Sequence, residues 1–231
     1  GGFLKGATGA GTPVVGVPVL TALFGIHFAV AVFSILNLAT NLWHALAYRR
    51  HQRSKPLVYR FALAGGIGAI VGSVFLAWLP TDALLGFLAA IVIFYVLLRV
   101  TRPDWTLARS QGEGLVWGAG LLGGLMQGAG VISAPVSVTY LNAMRLSREE
   151  FIATISVFFC TMSVTQRPSL MGLGIMTTER VVFSVLAMPP LFLAIWFGER
   201  AARVLAQEWF DRAILALLIV IAVRLLWVAI A

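Results

Sequence analysis

The tripeptide Gly-Ala-Gly occurs at residues 9–11 and again at residues 128–130, and each of these two copies, unlike the one at residues 118–120, is followed by a proline within seven residues. Glycine has no Cβ, so it allows positive φ and lets a backbone approach a ligand closely. A helix N-terminus adds free N–H groups and a partial positive charge. In a membrane, backbone groups freed from helical pairing persist only where they line a cavity or lie buried in protein. Two such breaks at corresponding places predict an anion-binding site near the bilayer midplane.

Polar side chains recur at helical spacing after each break. The first set is Ser34, Asn37, Asn41 and His44, and the second is Ser156, Ser163 and Gln166, with Phe159 where the first set has an asparagine. Spacings of three and four residues place each set on one helix face. Such a face lines a cavity or supplies interhelical hydrogen bonds worth about 0.6 kcal/mol each. Because the pattern follows both breaks, we favour the cavity.

The candidate substrate-binding residues combine the two breaks with these polar faces. They are Thr8, Gly9, Gly11, Thr12, Asn37, Asn41, Gln127, Gly128, Gly130, Ser133, Ser163 and Gln166. Two other glycine pairs, Gly68 with Gly72 and Gly120 with Gly124, have the four-residue spacing of close helix packing and are assigned to packing. Lys5 is the only cation near the first break. It either draws anions toward the site or extends its charged end to the membrane interface.

The composition is that of an integral membrane protein. The chain of 231 residues is 60% hydrophobic and 11% charged, with a mean hydropathy of +0.94. The net charge of +8 comes from basic residues in short connectors, a pattern of membrane topology and not of nucleic-acid binding. The single cysteine, Cys160, excludes an internal disulfide and a Cys-based metal site. The histidines lack metal-ligand spacing and no phosphate-loop motif occurs, so we predict no enzyme activity, no cofactor and no metal.

Six stretches are long enough, at roughly 17–25 residues, to cross a bilayer. They are residues 28–47, 57–79, 83–100, 151–166, 181–198 and 213–230. The Gly-rich stretches 1–25 and 114–142 are each too long for one span and are interrupted by Gly and Pro. No carboxylate lies in the middle of a predicted span, which argues against a cation transporter. The chain begins at Gly1 with about half a span, so we expect its N-terminus to be incomplete.

The basic residues predict which connectors face the cytoplasm. The connectors around 49–60 and 99–109 are rich in Arg and Lys, whereas the turn at 78–82 has neither. The corresponding turn of the second half, 198–212, carries three arginines, so the two equivalent turns should face opposite sides. We therefore predict an all-α membrane protein with two homologous halves, residues 1–105 and 106–231, that together form one transmembrane transport domain. The halves are predicted as inverted repeats, each a re-entrant hairpin plus three spans. Eight ordinary spans with parallel halves remain the alternative.

The duplicated motif resembles that of the sulfite exporter TauE/SafE family of bacterial membrane permeases. Gly-x-x-(x)-Gly-x-Gly followed by Val-Pro or Ala-Pro occurs once per half, and Gly-Phe-Leu precedes the first copy. The similarity covers essentially the whole chain, although Lys5 stands at a position that is usually small in that family. The resemblance implies a multi-pass permease of the bacterial inner membrane that moves sulfite, sulfonates and related small sulfur-containing anions, usually outward.

We therefore expect a secondary exporter. With the cytoplasm negative, a departing monovalent anion gains about 2.3 kcal/mol per 100 mV, so export needs no coupling carboxylate. The expected partners are a small sulfur-containing anion and the lipid bilayer, without nucleic acid, and a homo-oligomer is possible. The alternative is a non-transporting membrane scaffold or partner subunit in which the glycines serve only for packing.

Overall fold

The structure is a computed structural model that describes residues 1–8, 12–52, 55–80, 106–130 and 133–201, together with six isolated positions between 83 and 101. Within these ranges the chain forms eight α-helices, a short 3-10 helix at Arg49–His51 and no strand. The helices are α1 (Gly2–Thr8), α2 (Thr12–Phe24), α3 (Ile26–Ala47), α4 (Lys55–Trp78), α5 (Arg109–Gly130), α6 (Ala134–Ala143), α7 (Arg148–Gly172) and α8 (Thr178–Ala201). The predicted all-α class is confirmed.

Three of these helices, α3, α4 and α8, are long and apolar enough to cross a membrane. They contain 22, 24 and 24 residues, or about 33–36 Å of helix, which matches a hydrocarbon core of about 30 Å. They coincide with the predicted spans 28–47, 57–79 and 181–198. The predicted span 151–166 lies within α7, whose polar residues lower its hydropathy below that of the other three. The predicted span 213–230 lies outside the described residues, and 83–100 is described only at isolated positions.

Local sequence explains several helix boundaries. Gly25, with φ of 83°, separates α2 from α3, and Gly174, with φ of 69°, follows the end of α7. Both values lie in the left-handed region that glycine adopts without strain. At the start of α7 the Ser147 hydroxyl accepts a hydrogen bond from the Glu150 N–H, and the Glu150 carboxylate accepts one from the Ser147 N–H. This capping box satisfies two backbone donors that the first turn of a helix leaves unpaired.

Helices α3 and α8 run side by side in the same direction. The rings of Phe28 and Phe183 meet near the start of each helix, with centroids 5.6 Å apart. Near the opposite ends, His44 Nε2 lies 3.4 Å from a carboxylate oxygen of Glu199. Residue numbers rise in both helices from the first contact to the second, so the two helices are parallel.

Helices α4 and α7 are also parallel. Phe61 stacks on Phe158 with centroids 3.9 Å apart, and further along, the Thr165 hydroxyl donates to the Gly66 carbonyl at 3.2 Å. In contrast, α3 and α4 must run in opposite directions. Only seven residues separate Ala47 from Lys55, and they reach at most about 25 Å, too little to return across a membrane.

The packing of α4 against α5 depends on glycine. A methyl group added at Gly68, Gly72 or Gly124 would overlap a backbone carbonyl oxygen of the facing helix, and one added at Gly120 would lie 2.6 Å from the Ala64 methyl. Glycines at this spacing let two helix backbones approach closely, which favours association in a membrane. The predicted packing role of these four glycines is confirmed.

A second contact of the same kind joins α1 to α8. A methyl group at Gly6 would overlap the Ile195 carbonyl oxygen, and one at Gly198 would overlap the Phe3 carbonyl oxygen. The short helix α1, with seven residues, is too short to be stable alone. Its backbone contact with the 24-residue α8 therefore holds it in place.

Candidate functional site

One described helix ends and another begins beside each of the Gly-Ala-Gly tripeptides at residues 9–11 and 128–130. Helix α1 ends at Thr8 and α2 begins at Thr12, while α5 ends at Gly130 and α6 begins at Ala134. The candidates Gly9 and Gly11 and the side chain of Thr8 lie outside the described part of the chain. At the first break the structure therefore describes the residues on either side of the tripeptide, and at the second it describes the tripeptide itself and the residues from Ser133 onward.

The backbone at the second tripeptide differs from our expectation. Gly128 and Gly130 both belong to α5, and among the described glycines only Gly25 and Gly174 have positive φ. Gly128 and Gly130 therefore do not adopt the positive φ that glycine would allow there. A methyl group at Gly128 would overlap the Ala69 carbonyl oxygen, so the missing Cβ lets α5 approach α4. Gly128 continues the packing face of Gly120 and Gly124, and the interruption comes after Gly130.

The first break places a buried lysine among polar side chains. Lys5 is 1% exposed, which excludes extension of its charged end to the membrane interface. Its ammonium donates to Asn41 Oδ1 at 2.8 Å and lies 5.9 Å from the centroid of the Phe159 ring. Asn41 in turn donates through Nδ2 to the Asn37 carbonyl oxygen at 2.7 Å. Residues of α1, α3 and α7 therefore meet at Lys5.

Lys5 has no acidic partner among the described residues. Within these ranges Arg109 forms an ion pair with Glu113, and the His44 imidazole contacts the Glu199 carboxylate. Among the described residues, the titratable groups close enough to influence the Lys5 ammonium are Cys160 and His44, and neither a thiol nor an imidazole is negative near neutral pH. A cation that is removed from water requires a counter-charge or several hydrogen bonds, so this position is suited to an anion.

Sequence reasoning left Lys5 outside the predicted substrate-binding set. The available signal was its position as the only cation near the first break. Spacing alone does not distinguish a buried lysine from one at the membrane surface, because burial of Lys5 depends on contacts with α3, α7 and α8 that are distant in sequence.

The second break has a matching polar contact. Gln166 of α7 donates through Nε2 to the Gly128 carbonyl oxygen at 3.2 Å. Gly128 is among the last four residues of α5, whose carbonyls have no partner within the helix. Ser133 lies just beyond, and its hydroxyl is 3.3 Å from that of Ser137. The predicted residues Gln166, Gly128 and Ser133 therefore lie where α5 ends, and Gln166 ties α7 to that end.

All predicted candidates whose burial is described are buried. They are Thr12, Asn37, Asn41, Gln127, Gly128, Gly130, Ser133, Ser163 and Gln166. Several of them carry polar atoms that are buried without a hydrogen-bond partner, namely Thr12 Oγ1, Asn37 Nδ2, Gln127 Nε2 and Oε1, Ser163 Oγ and Gln166 Oε1. The same holds for His44 Nδ1, Ser156 Oγ and Arg167 Nε. Each such atom destabilises the fold by about 1–3 kcal/mol unless something binds it, so their concentration at the predicted positions indicates a place for water or ligand.

Comparison with known proteins places the chain in a family. A family model described as sulfite exporter TauE/SafE matches residues 1–225 of the 231. No curated protein and no solved structure matches the chain. The matched region contains the three apolar helices, both glycine-rich breaks and the buried polar residues around them. The chain therefore belongs to the sulfite exporter TauE/SafE family, whose members are membrane transporters and not enzymes.

Proposed function

We propose that this protein is a secondary transporter that exports small sulfur-containing anions, such as sulfite or organosulfonates, across the bacterial inner membrane. The substrate is held between the two broken helical segments, near the bilayer midplane. The observation that carries this proposal is the set of buried, unpartnered polar atoms at Thr12, Asn37, Gln127, Ser163 and Gln166. A transporter's site must offer hydrogen bonds to a substrate that is absent for part of the cycle, so such atoms fit a site that fills and empties.

The chemistry of these atoms favours an anion. The amide nitrogens of Asn37 and Gln127 are donors, and the hydroxyls of Thr12 and Ser163 are able to donate. Sulfite and sulfonates present several oxygen acceptors at one end. No Asp or Glu is buried among the residues that the structure describes, whereas intramembrane cation sites and proton relays use such carboxylates. We therefore assign the site to an anion and prefer transport to the scaffold alternative.

The membrane potential is sufficient to drive export. With a negative cytoplasm, a leaving anion gains about 2.3 kcal/mol per charge per 100 mV. Outward movement therefore needs no second ion, in keeping with the lack of a buried carboxylate in the described ranges. We propose export along the electrical gradient.

We also propose that residues 1–105 and 106–231 are inverted repeats. In this correspondence α3 is equivalent to α7, and α4 to α8. Helix α3 is parallel to α8 and α4 is parallel to α7, while α3 and α4 run in opposite directions. Equivalent helices would then be antiparallel, as inverted repeats require. The glycine contacts support this, since α1 packs on α8 and α5 packs on α4.

Labelling from the two sides of the membrane tests the repeat. Single cysteines at Trp78 and at Gln207, introduced after Cys160→Ser removes the native thiol, should react with an impermeant reagent from opposite sides. The reason is that the two positions occupy equivalent turns of oppositely oriented halves. Labelling of both cysteines from one side would reject the inverted arrangement and favour eight spans with parallel halves.

The variant Gln127→Leu tests the transport site. Both amide atoms of Gln127 are buried without partners, so leucine removes two unsatisfied groups at similar volume. The empty protein should melt at the same or a higher temperature, while stabilisation by sulfite, sulfate, thiosulfate, sulfoacetate or taurine and flux from proteoliposomes should be lost. Ser73→Ala is a matched control, because the buried Ser73 hydroxyl already donates to the Ala69 carbonyl of its own helix. Wild-type protein that neither binds nor moves any of these solutes would overturn the proposed function.

A further inference from the structure

The charge at the candidate site comes from one half of the molecule. Lys5 is the only lysine or arginine that is buried among the described residues. Aligning the segment 2–6 with 120–124 places Gly123 opposite Lys5. A Cβ at Gly123 would lie 3.2 Å from the Phe158 ring, and glycine itself supplies no cation at that position.

Among the described residues, the surroundings of Lys5 offer hydrogen bonds but no negative charge. Asn41 Oδ1 accepts from the ammonium, and Asn37, which accepts from Asn41, keeps its own amide nitrogen Nδ2 buried and unpartnered. Phe159 contributes the face of its ring, 5.9 Å from the ammonium. Arg167 of α7 is partly exposed, so its charge remains partly hydrated. A ligand here meets one lysine ammonium and a neighbouring neutral donor.

We infer that Lys5 is the counter-charge of the transported solute and that this protein selects sulfur anions with one negative charge over those with two. This inference rests on the proposed function. One buried ammonium neutralises one negative charge, and the neutral amide of Asn37 adds a hydrogen bond without adding charge. The second charge of a dianion would be removed from water without a partner, which is strongly unfavourable in a low-dielectric site.

Two sulfonates of similar size but different charge provide the test. Isethionate carries a sulfonate and a hydroxyl, with one negative charge, whereas sulfoacetate carries a sulfonate and a carboxylate, with two. Ligand-dependent melting and competition binding on the purified full chain measure both affinities. We expect the wild type to bind isethionate at least about tenfold more tightly, the effect of 1.4 kcal/mol.

Three variants separate charge from structure. Lys5→Met keeps a long side chain without charge and should weaken isethionate binding by at least about thirtyfold, the lower end of effects seen when one partner of a buried charge pair is removed. Lys5→Arg keeps the charge and should keep the preference for isethionate. Arg109→Met removes one charge at an exposed position paired with Glu113 and should change neither affinity.

The possible results distinguish this inference from the proposed function. Wild-type binding of sulfoacetate as tight as that of isethionate, or unchanged isethionate affinity in Lys5→Met, would overturn the role of Lys5 while leaving an anion transporter. If Lys5→Met does not fold, loss of the preference for isethionate in folded Lys5→Arg would also overturn the role of Lys5. Wild-type protein that binds and transports neither these sulfonates nor sulfite would instead reject the proposed function.

Discussion

Replacing Gly124 by alanine should weaken the contact between α4 and α5. The added methyl group would overlap the backbone of Gly65, including its carbonyl oxygen. Backbone atoms cannot rotate away, so the helices must move apart and lose close contacts along a face that also includes Gly68, Gly72 and Gly128. Overpacking of this kind destabilises by about 1–3 kcal/mol, whereas replacing glycine within a helix by alanine stabilises by about 1 kcal/mol. The net loss of unfolding free energy is therefore up to about 2 kcal/mol.

Gly118→Ala is the matched control for this prediction. Gly118 lies in the same helix, is exposed, and has no atom within 4 Å of an added methyl group. Both substitutions gain the same helix propensity, so the difference between the two variants isolates the overlap and should be about 1–3 kcal/mol. Unfolding of the purified proteins in a denaturing detergent titration measures it. Equal stability of Gly124→Ala and Gly118→Ala would refute the backbone contact between α4 and α5.

Two further predictions concern the polar contacts of α3. Asn41→Leu removes the acceptor of the Lys5 ammonium and should reduce the unfolding free energy by about 1.5–3 kcal/mol, the range for hydrogen bonds to charged groups. In a double-mutant cycle, adding Lys5→Met should restore part of that loss. Strictly additive effects of the two substitutions would contradict the contact between Lys5 and Asn41. Glu199→Gln should reduce the unfolding free energy by less than about 1 kcal/mol, because the Glu199 side chain is 39% exposed opposite His44. A larger loss, measured by chemical unfolding, would contradict a weak, partly hydrated contact between the two side chains.

Local patterns in the sequence predicted the scaffold well. Long apolar runs located α3, α4 and α8, because hydropathy over about 20 residues directly reports the ability to cross a bilayer. Four-residue spacing identified Gly68, Gly72, Gly120 and Gly124 as packing positions, since that spacing places residues on one helix face. These features are visible from sequence because each depends only on neighbours within one helix.

The parts that sequence did not predict depend on distant contacts. Gly128 shares the four-residue spacing of Gly120 and Gly124, yet its Gly-Ala-Gly tripeptide followed by a proline suggested a break. Only the position of α4 identifies Gly128 as a packing residue. The burial of Lys5 likewise requires α1 to lie between α3, α7 and α8, which come much later in the chain. A pattern within one segment carries no information on which helix will cover it.

The packing face and the polar site are adjacent on the same helix, and this explains how unpartnered polar atoms are retained. Gln127 precedes Gly128 directly, so its amide lies about 100° around α5 from the contact with α4. The backbone contact of Gly128 with α4 fixes the end of α5. The neighbouring Gln127 amide is therefore held in a buried position although it has no hydrogen bond of its own. In the first half α1 is held to α8 through Gly6 and carries Lys5 as the preceding residue. In both segments a glycine that anchors the helix therefore stands next to a polar side chain of the proposed site.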